Sequence, residues 1–98
     1  MNIAQLYKGT ITQTNTDVTI YTVPSGSKVL VKEIRIHNAS TATGDVRVKI
    51  NTILIHQETV SSKSTLAISM NLVLEEGDSI VIYTPMQPLN IIVSGVVF

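Results

Sequence analysis

Two histidines (His37, His56), three clustered acids (Glu75, Glu76, Asp78) and three tyrosines (Tyr7, Tyr21, Tyr83) have the most chemistry to offer in this chain. Imidazole serves as general base and metal ligand. Both histidines close apolar runs, and neither has a second histidine or a carboxylate at the short spacing common in metal sites. They read as surface histidines unless two strands bring them together, and no metal is expected. The acids could belong to a calcium loop, since hard cations take several carboxylate oxygens. The alternating oxygen ligands of such a loop are missing, so a solvated turn is the better reading.

Other catalytic arrangements are absent. Serines are plentiful, but none sits in a Gly-x-Ser-x-Gly elbow, and no phosphate-cradling glycine loop occurs. The chain has no cysteine, which excludes thiolate nucleophiles, disulfides and cysteine-based zinc sites. No catalytic residue and no cofactor are therefore expected, and the chain does not read as an enzyme. Sugar-binding modules of this size commonly line up exposed aromatic rings, whereas here there is no Trp and only one Phe. The three tyrosines lie in extended segments, where half-burial with the hydroxyl at the edge is the ordinary outcome.

The elements that position these groups are all extended. Runs of four to eight β-branched or aliphatic residues alternate with polar turns, and no helix of ordinary length is found. Tyr7 to Thr12 forms a first strand and Val18 to Val23 a second, which the turn Pro24-Ser25-Gly26-Ser27 ends. Lys28 to Asn38 changes phase: Val29 and Val31 share one face, Ile34 and Ile36 the other. A bulge or bend near Lys32 explains the slip, because one extra residue restores the inward face. Asp45 to Asn51 alternates cleanly, with Val46, Val48 and Ile50 opposite Arg47 and Lys49. Ile53 to Glu58 follows the Asn51-Thr52 turn. After Ser61-Ser62-Lys63 comes Ser64 to Leu74, with Leu66, Ile68, Met70 and Leu72 facing inward. The Glu75-Glu76-Gly77-Asp78 turn, Ser79 to Thr84, the Pro85 to Pro88 loop and Leu89 to Phe98 complete the chain.

These segments predict an all-β fold, an antiparallel β-sandwich of about eight strands, jelly-roll or immunoglobulin-like. The 98 residues form a single domain, with residues 1–6 as an N-terminal arm. Seven basic and seven acidic residues give no net charge, so no field gathers nucleic acid or anionic membrane. Residues 1–6 lack the basic start of a signal peptide, and no window reaches the roughly 18 apolar residues of a membrane span. The chain is expected to be made and kept in the cytoplasm until used. Charged residues make up 14%, against roughly 25% in ordinary soluble domains, which suggests a surface that has company.

The last two strands are apolar on both faces. Ile80 and Ile82 oppose Val81 and Tyr83; Leu89, Ile91 and Val93 oppose Ile92, Val96 and Phe98. A strand with one face in water should be polar there, so both faces are expected to be covered. Either loops of the same chain cover them or a neighbouring subunit does. In the second case Val81, Tyr83, Ile92, Val96 and Phe98 form the contact set of a symmetric homo-oligomer, a dimer or trimer.

Tyr21-Thr22-Val23-Pro24-Ser25-Gly26-Ser27-Lys28 followed by Val31-Lys32-Glu33-Ile34-Arg35-Ile36-His37-Asn38 resembles the "VPAGK…V.SI.I.N" opening of small virion proteins of tailed bacteriophages. Leu72-Val73-Leu74-Glu75-Glu76-Gly77-Asp78-Ser79-Ile80 is similar to their "L.L.AGD.I" turn, and Val93-Ser94-Gly95-Val96 to their closing "VSG" strand. Ser27, between the glycine and Lys28, departs slightly from the pattern. The resemblance implies a virion structural protein used in many copies, a head decoration or accessory protein or a neck or tail component. Its implied partners are itself and other virion proteins such as the major capsid or tail protein, with no nucleic acid and no membrane. A receptor- or glycan-binding module of a tail fibre or adhesin is the alternative.

Overall fold

In the computed structural model, which describes residues 3–98, each apolar run of the sequence is a strand. The strands are β1 (Ala4–Ile11), β2 (Asp17–Thr22), β3 (Val29–Asn38), β4 (Gly44–Ile50), β5 (Ile53–Val60), β6 (Thr65–Leu74), β7 (Ser79–Tyr83) and β8 (Leu89–Val97). They form two four-stranded sheets, ordered β1-β8-β3-β6 and β2-β7-β4-β5, with every pairing antiparallel. Chain-order neighbours fall mostly in opposite sheets, and this interleaving is the jelly-roll arrangement, not the immunoglobulin one. The segment expected as an N-terminal arm is instead strand from Ala4 on: Ala4 and Gln5 pair with Gly95 and Ser94, and Leu6 packs on the core. Residues 1–2 of that expected arm lie outside the described residues.

Period-two alternation fills the space between the sheets. Ile34, Ile36, Ile80, Ile82, Leu89, Ile91, Val29, Val31, Val46 and Val48 are fully buried there. Each such side chain contributes about 1.5–3 kcal/mol when removed from water. The layer contains no fully buried aromatic ring, so β-branched residues, which pack well on a pleated surface, carry it. The slip expected at Lys32 is present: pairing of β3 with both β6 and β8 shifts between Val31 and Glu33. Relative to β8, β3 holds one additional residue there, which turns Val29 and Val31 inward along with Ile34 and Ile36.

The bulge dictates the glycine opposite it. Gly95 pairs with Val31, and a Cβ added at Gly95 would run into the carbonyl oxygen of Leu30 and crowd the Leu6 side chain. Elsewhere glycine serves the turns, Gly26 at φ +79° and Gly77 at φ +84°, the left-handed region that other residues enter at a cost.

One buried polar knot closes an end of the sandwich. Asn38 is fully buried; its Nδ2 donates to the carbonyls of Ala42 (2.8 Å) and Val60 (3.1 Å). Its Oδ1 accepts from the Ser40 amide (3.0 Å) and hydroxyl (2.6 Å), so one side chain ties the end of β3 to the β3–β4 loop and to the end of β5. Among the described residues no buried side-chain nitrogen or oxygen lacks a partner.

Gly95→Ala should lower unfolding stability in urea by about 1–3 kcal/mol, the usual cost of overpacking. Gly9→Ala should cost clearly less, because the atoms an added Cβ meets there are the far end of the flexible Tyr7 ring. Equal losses would contradict the role assigned to the Leu30 carbonyl.

Candidate interaction surfaces

The five residues expected to form one contact set lie on two opposite outer surfaces. Val81 and Tyr83 belong to β7 and face out from the β2-β7-β4-β5 sheet. Ile92, Val96 and Phe98 lie on or just beyond β8 and face out from the other sheet. The two groups cannot touch one neighbour through a single flat face.

They also differ in cover. Val81 is only 6% exposed. Its partner across the ladder, Lys49, extends over β7 to reach Asp17 on β2, Nζ to Oδ1 3.0 Å, and its methylene stem roofs the strand. The guanidinium of Arg47 stands 5.0 Å from the centre of the Tyr83 ring, with Lys49 Nζ at 6.0 Å. A cation over an aromatic face is favourable. The outer side of β7 is thus covered by its own chain, and Val81 has little surface left for a neighbour. The outer side of β8 is different: Ile92 and Phe98 are exposed and Val96 is half-buried.

Across the β1-β8-β3-β6 sheet the exposed apolar side chains other than Ile92 gather at one end. Val96 pairs with Leu30 and Leu30 with Val73, forming an apolar row over β8, β3 and β6. Ile3, Leu30, Val96 and Phe98, with Lys32 at the rim, line an open hollow of about 410 Å³. Ile3 is 63% exposed, Val73 52% and Phe98 50%. The sequence reading missed Leu30 and Val73, because it took β3 and β6 as presenting only their inner faces. Their even spacing from Lys32 and Asn71 was the available signal.

At the other end of this sheet a depression of about 490 Å³, with more polar and charged residues in its lining, surrounds Ile92. One ladder row carries Lys8, Ile92 and Arg35; the next carries Thr10, Asn90, His37 and Thr65. Thr10 Oγ1 donates to Asn90 Oδ1 (2.9 Å), His37 Nδ1 lies 2.8 Å from Thr65 Oγ1, and Arg35 pairs with Glu33 at 3.2 Å. Hydroxyl, amide, imidazole and cationic groups around one aliphatic side chain can hold a polar, anionic or hydroxylated ligand.

The histidines do not meet: His37 sits in this depression and His56 on β5 of the other sheet. His56 Nε2 lies 3.0 Å from Glu58 Oε1. Glu58, two residues on, had been passed over in the sequence, although residues i and i+2 of a strand share a face. Among the described residues no three histidine or acidic side chains gather as a metal site.

The acids of the Glu75–Asp78 turn point at separate protein donors. Glu76 Oε2 accepts from the Gly26 amide at 2.6 Å, Asp78 Oδ1 from Asn51 Nδ2 at 3.0 Å and Asp78 Oδ2 from the Glu75 amide at 2.9 Å, while Glu75 lies 3.8 Å from Lys28. They brace two turns and do not converge on one cation. The bond from Asn51, then that from the Glu75 amide, holds the Asp78 carboxyl below its ordinary pKa. Bonds from Thr59 and then Gln57 do the same for Asp45.

No protein-family model matches the chain, and no curated protein matches it.

A carboxylate whose pKa is lower folded than unfolded contributes stability above its unfolded pKa and loses it as pH falls through the folded value. Chemical denaturation across the acid range should therefore show stability declining below the ordinary aspartate pKa. A variant carrying Asp45→Asn and Asp78→Asn should show a shallower acid decline; an unchanged slope would remove these two groups from the account.

Proposed function

We propose that this chain is a non-enzymatic structural subunit of a tailed-phage virion, a head decoration or accessory protein that works by contact with copies of itself and with other virion proteins. The observation that carries this reading is the apolar row Val96-Leu30-Val73, flanked by Ile3 and Phe98, on the outside of the β1-β8-β3-β6 sheet. Contiguous apolar surface of that kind marks a contact site. The motif resemblance supports the assignment to virions, and the jelly roll, an architecture of viral capsid domains among others, supports it further. Mechanically, the rigid sandwich presents this apolar row on every copy. On a lattice, many modest contacts add, because each bound copy raises the effective concentration of the next contact.

A second reading, a receptor- or glycan-binding module, is favoured by the depression formed by Lys8, Arg35, His37, Asn90 and Thr10 around Ile92. In that reading Lys8 and Arg35 would engage an anionic or hydroxylated group, and Ile92 the apolar face of a ring.

A doubly substituted Val73→Lys, Phe98→Lys chain should fold normally, since both positions are half exposed. Its incorporation into density-purified particles, counted by quantitative mass spectrometry, should fall at least about tenfold, the ratio given by roughly 1.4 kcal/mol of lost contact. Undiminished incorporation would reject the patch as the contact. For the second reading, the wild-type chain should bind an acidic polysaccharide on a glycan array and Arg35→Ala should lose that binding; silence of the wild type removes it.

A further inference from the structure

Four strands end the two sheets: β1 and β6 in one, β2 and β5 in the other. Each presents unpaired backbone N–H and C=O groups, which natural proteins ordinarily protect from pairing with another chain by charge, bulges or cover. All four edge ladders have a register shift, so charge is what separates them: β1 carries Lys8, β2 carries Asp17, and β5 carries His56 and Glu58. β6 differs. Over Thr65–Leu74 it has no Asp, Glu, Lys, Arg, His or Pro.

We infer that β6 is the strand through which two copies of this chain join, antiparallel across a two-fold axis, continuing the β1-β8-β3-β6 sheet into its copy. This rests on the self-associating subunit reading above and names the joining element. The charge argument decides the occupant. A two-fold axis through a strand sets residues of that strand opposite residues of its own copy, so a charge near the axis meets its like, which is destabilising. Among the four edges only β6 is free of that penalty whatever the register, because it carries no charge at any position. Lys32, on the neighbouring strand, donates Nζ to Asn71 Oδ1 and is held there.

Side-chain size agrees. The outward positions Thr65, Ala67, Ser69 and Asn71 are short and exposed, so two β6 strands can approach to ladder distance, about 4.8 Å, without collision. On the inner side Leu66, Met70 and Leu72 are only half-buried. Beside them the sandwich is open toward β5, in a hollow of about 320 Å³ lined by Ile55, His56, Ile68, Met70 and Leu72. A second β6 would shield this open seam. A two-fold axis perpendicular to the sheet also leaves the two outer surfaces on the same side, so both Val96-Leu30-Val73 rows face one way.

The chain has no cysteine, so a single introduced thiol reports its own neighbours. Under mild oxidation the full chain carrying Ser69→Cys or Asn71→Cys, near the midpoint of β6, should give a disulfide-linked dimer at micromolar concentration. Thr19→Cys, equally exposed on the β2 edge, should give none. Ser69→Lys should weaken the dimer at least about tenfold by sedimentation equilibrium, with unchanged circular dichroism. Absence of cross-linking at both β6 positions, equal cross-linking at Thr19, or an unaltered dimer in Ser69→Lys would overturn the β6 assignment. If the wild type self-associates in those cases, the subunit reading survives without this edge. A wild type that stays monomeric at every concentration overturns both.

Discussion

The sandwich depends on keeping one aliphatic face turned inward along all ten residues of β3, which sits inside its sheet between β8 and β6. A strand alternates strictly, so the run from Val29 to Ile36 could not bury both of its halves without an extra residue. Lys32 supplies it. From that insertion follow the register with β8, the glycine at position 95 and the inward set of β6, where Leu72 meets Val31 and Ile68 meets Ile34.

The two sheets solve the same surface problem differently. β7 and β8 both occupy inner positions of their sheets, and both carry aliphatic residues on their outer side. Over β7 the solution is local: Lys49 bridges to Asp17 across the strand, and Arg47 stands over Tyr83. The Lys49–Asp17 ion pair is itself partly exposed and contributes modestly; its larger effect is to hold a long hydrocarbon stem over Val81. Over β8 no such pair exists among the described residues. The nearest ion pair, Arg35 with Glu33, runs along β3 and leaves Ile92 and Val96 uncovered.

Much of this was legible in the residues. Period-two runs located all eight strands to within a few residues, and the phase change at Lys32 announced the bulge. Gly26 and Gly77 marked the positive-φ turns, because only backbone and neighbour identity are needed to read a turn. The order of strands was not legible: pairings such as β1 with β8 join residues 78 to 91 positions apart, and alternation says that a face is buried without saying against what. For the same reason the five apolar residues of β7 and β8 read as one surface when they lie on two. Lys49 and Arg47, which decide the cover of β7, looked like ordinary solvent-facing residues of a neighbouring strand. Only the register reveals that their stems reach over it.

The bulge at Lys32 also has a geometric effect on the outside of the molecule, since an inserted residue bends a strand. Along β3 it lies between Leu30, in the apolar row, and Arg35, in the row with Lys8 and Ile92. Both groups of side chains point away from the layer between the sheets, so either can change its residues without repacking the interior.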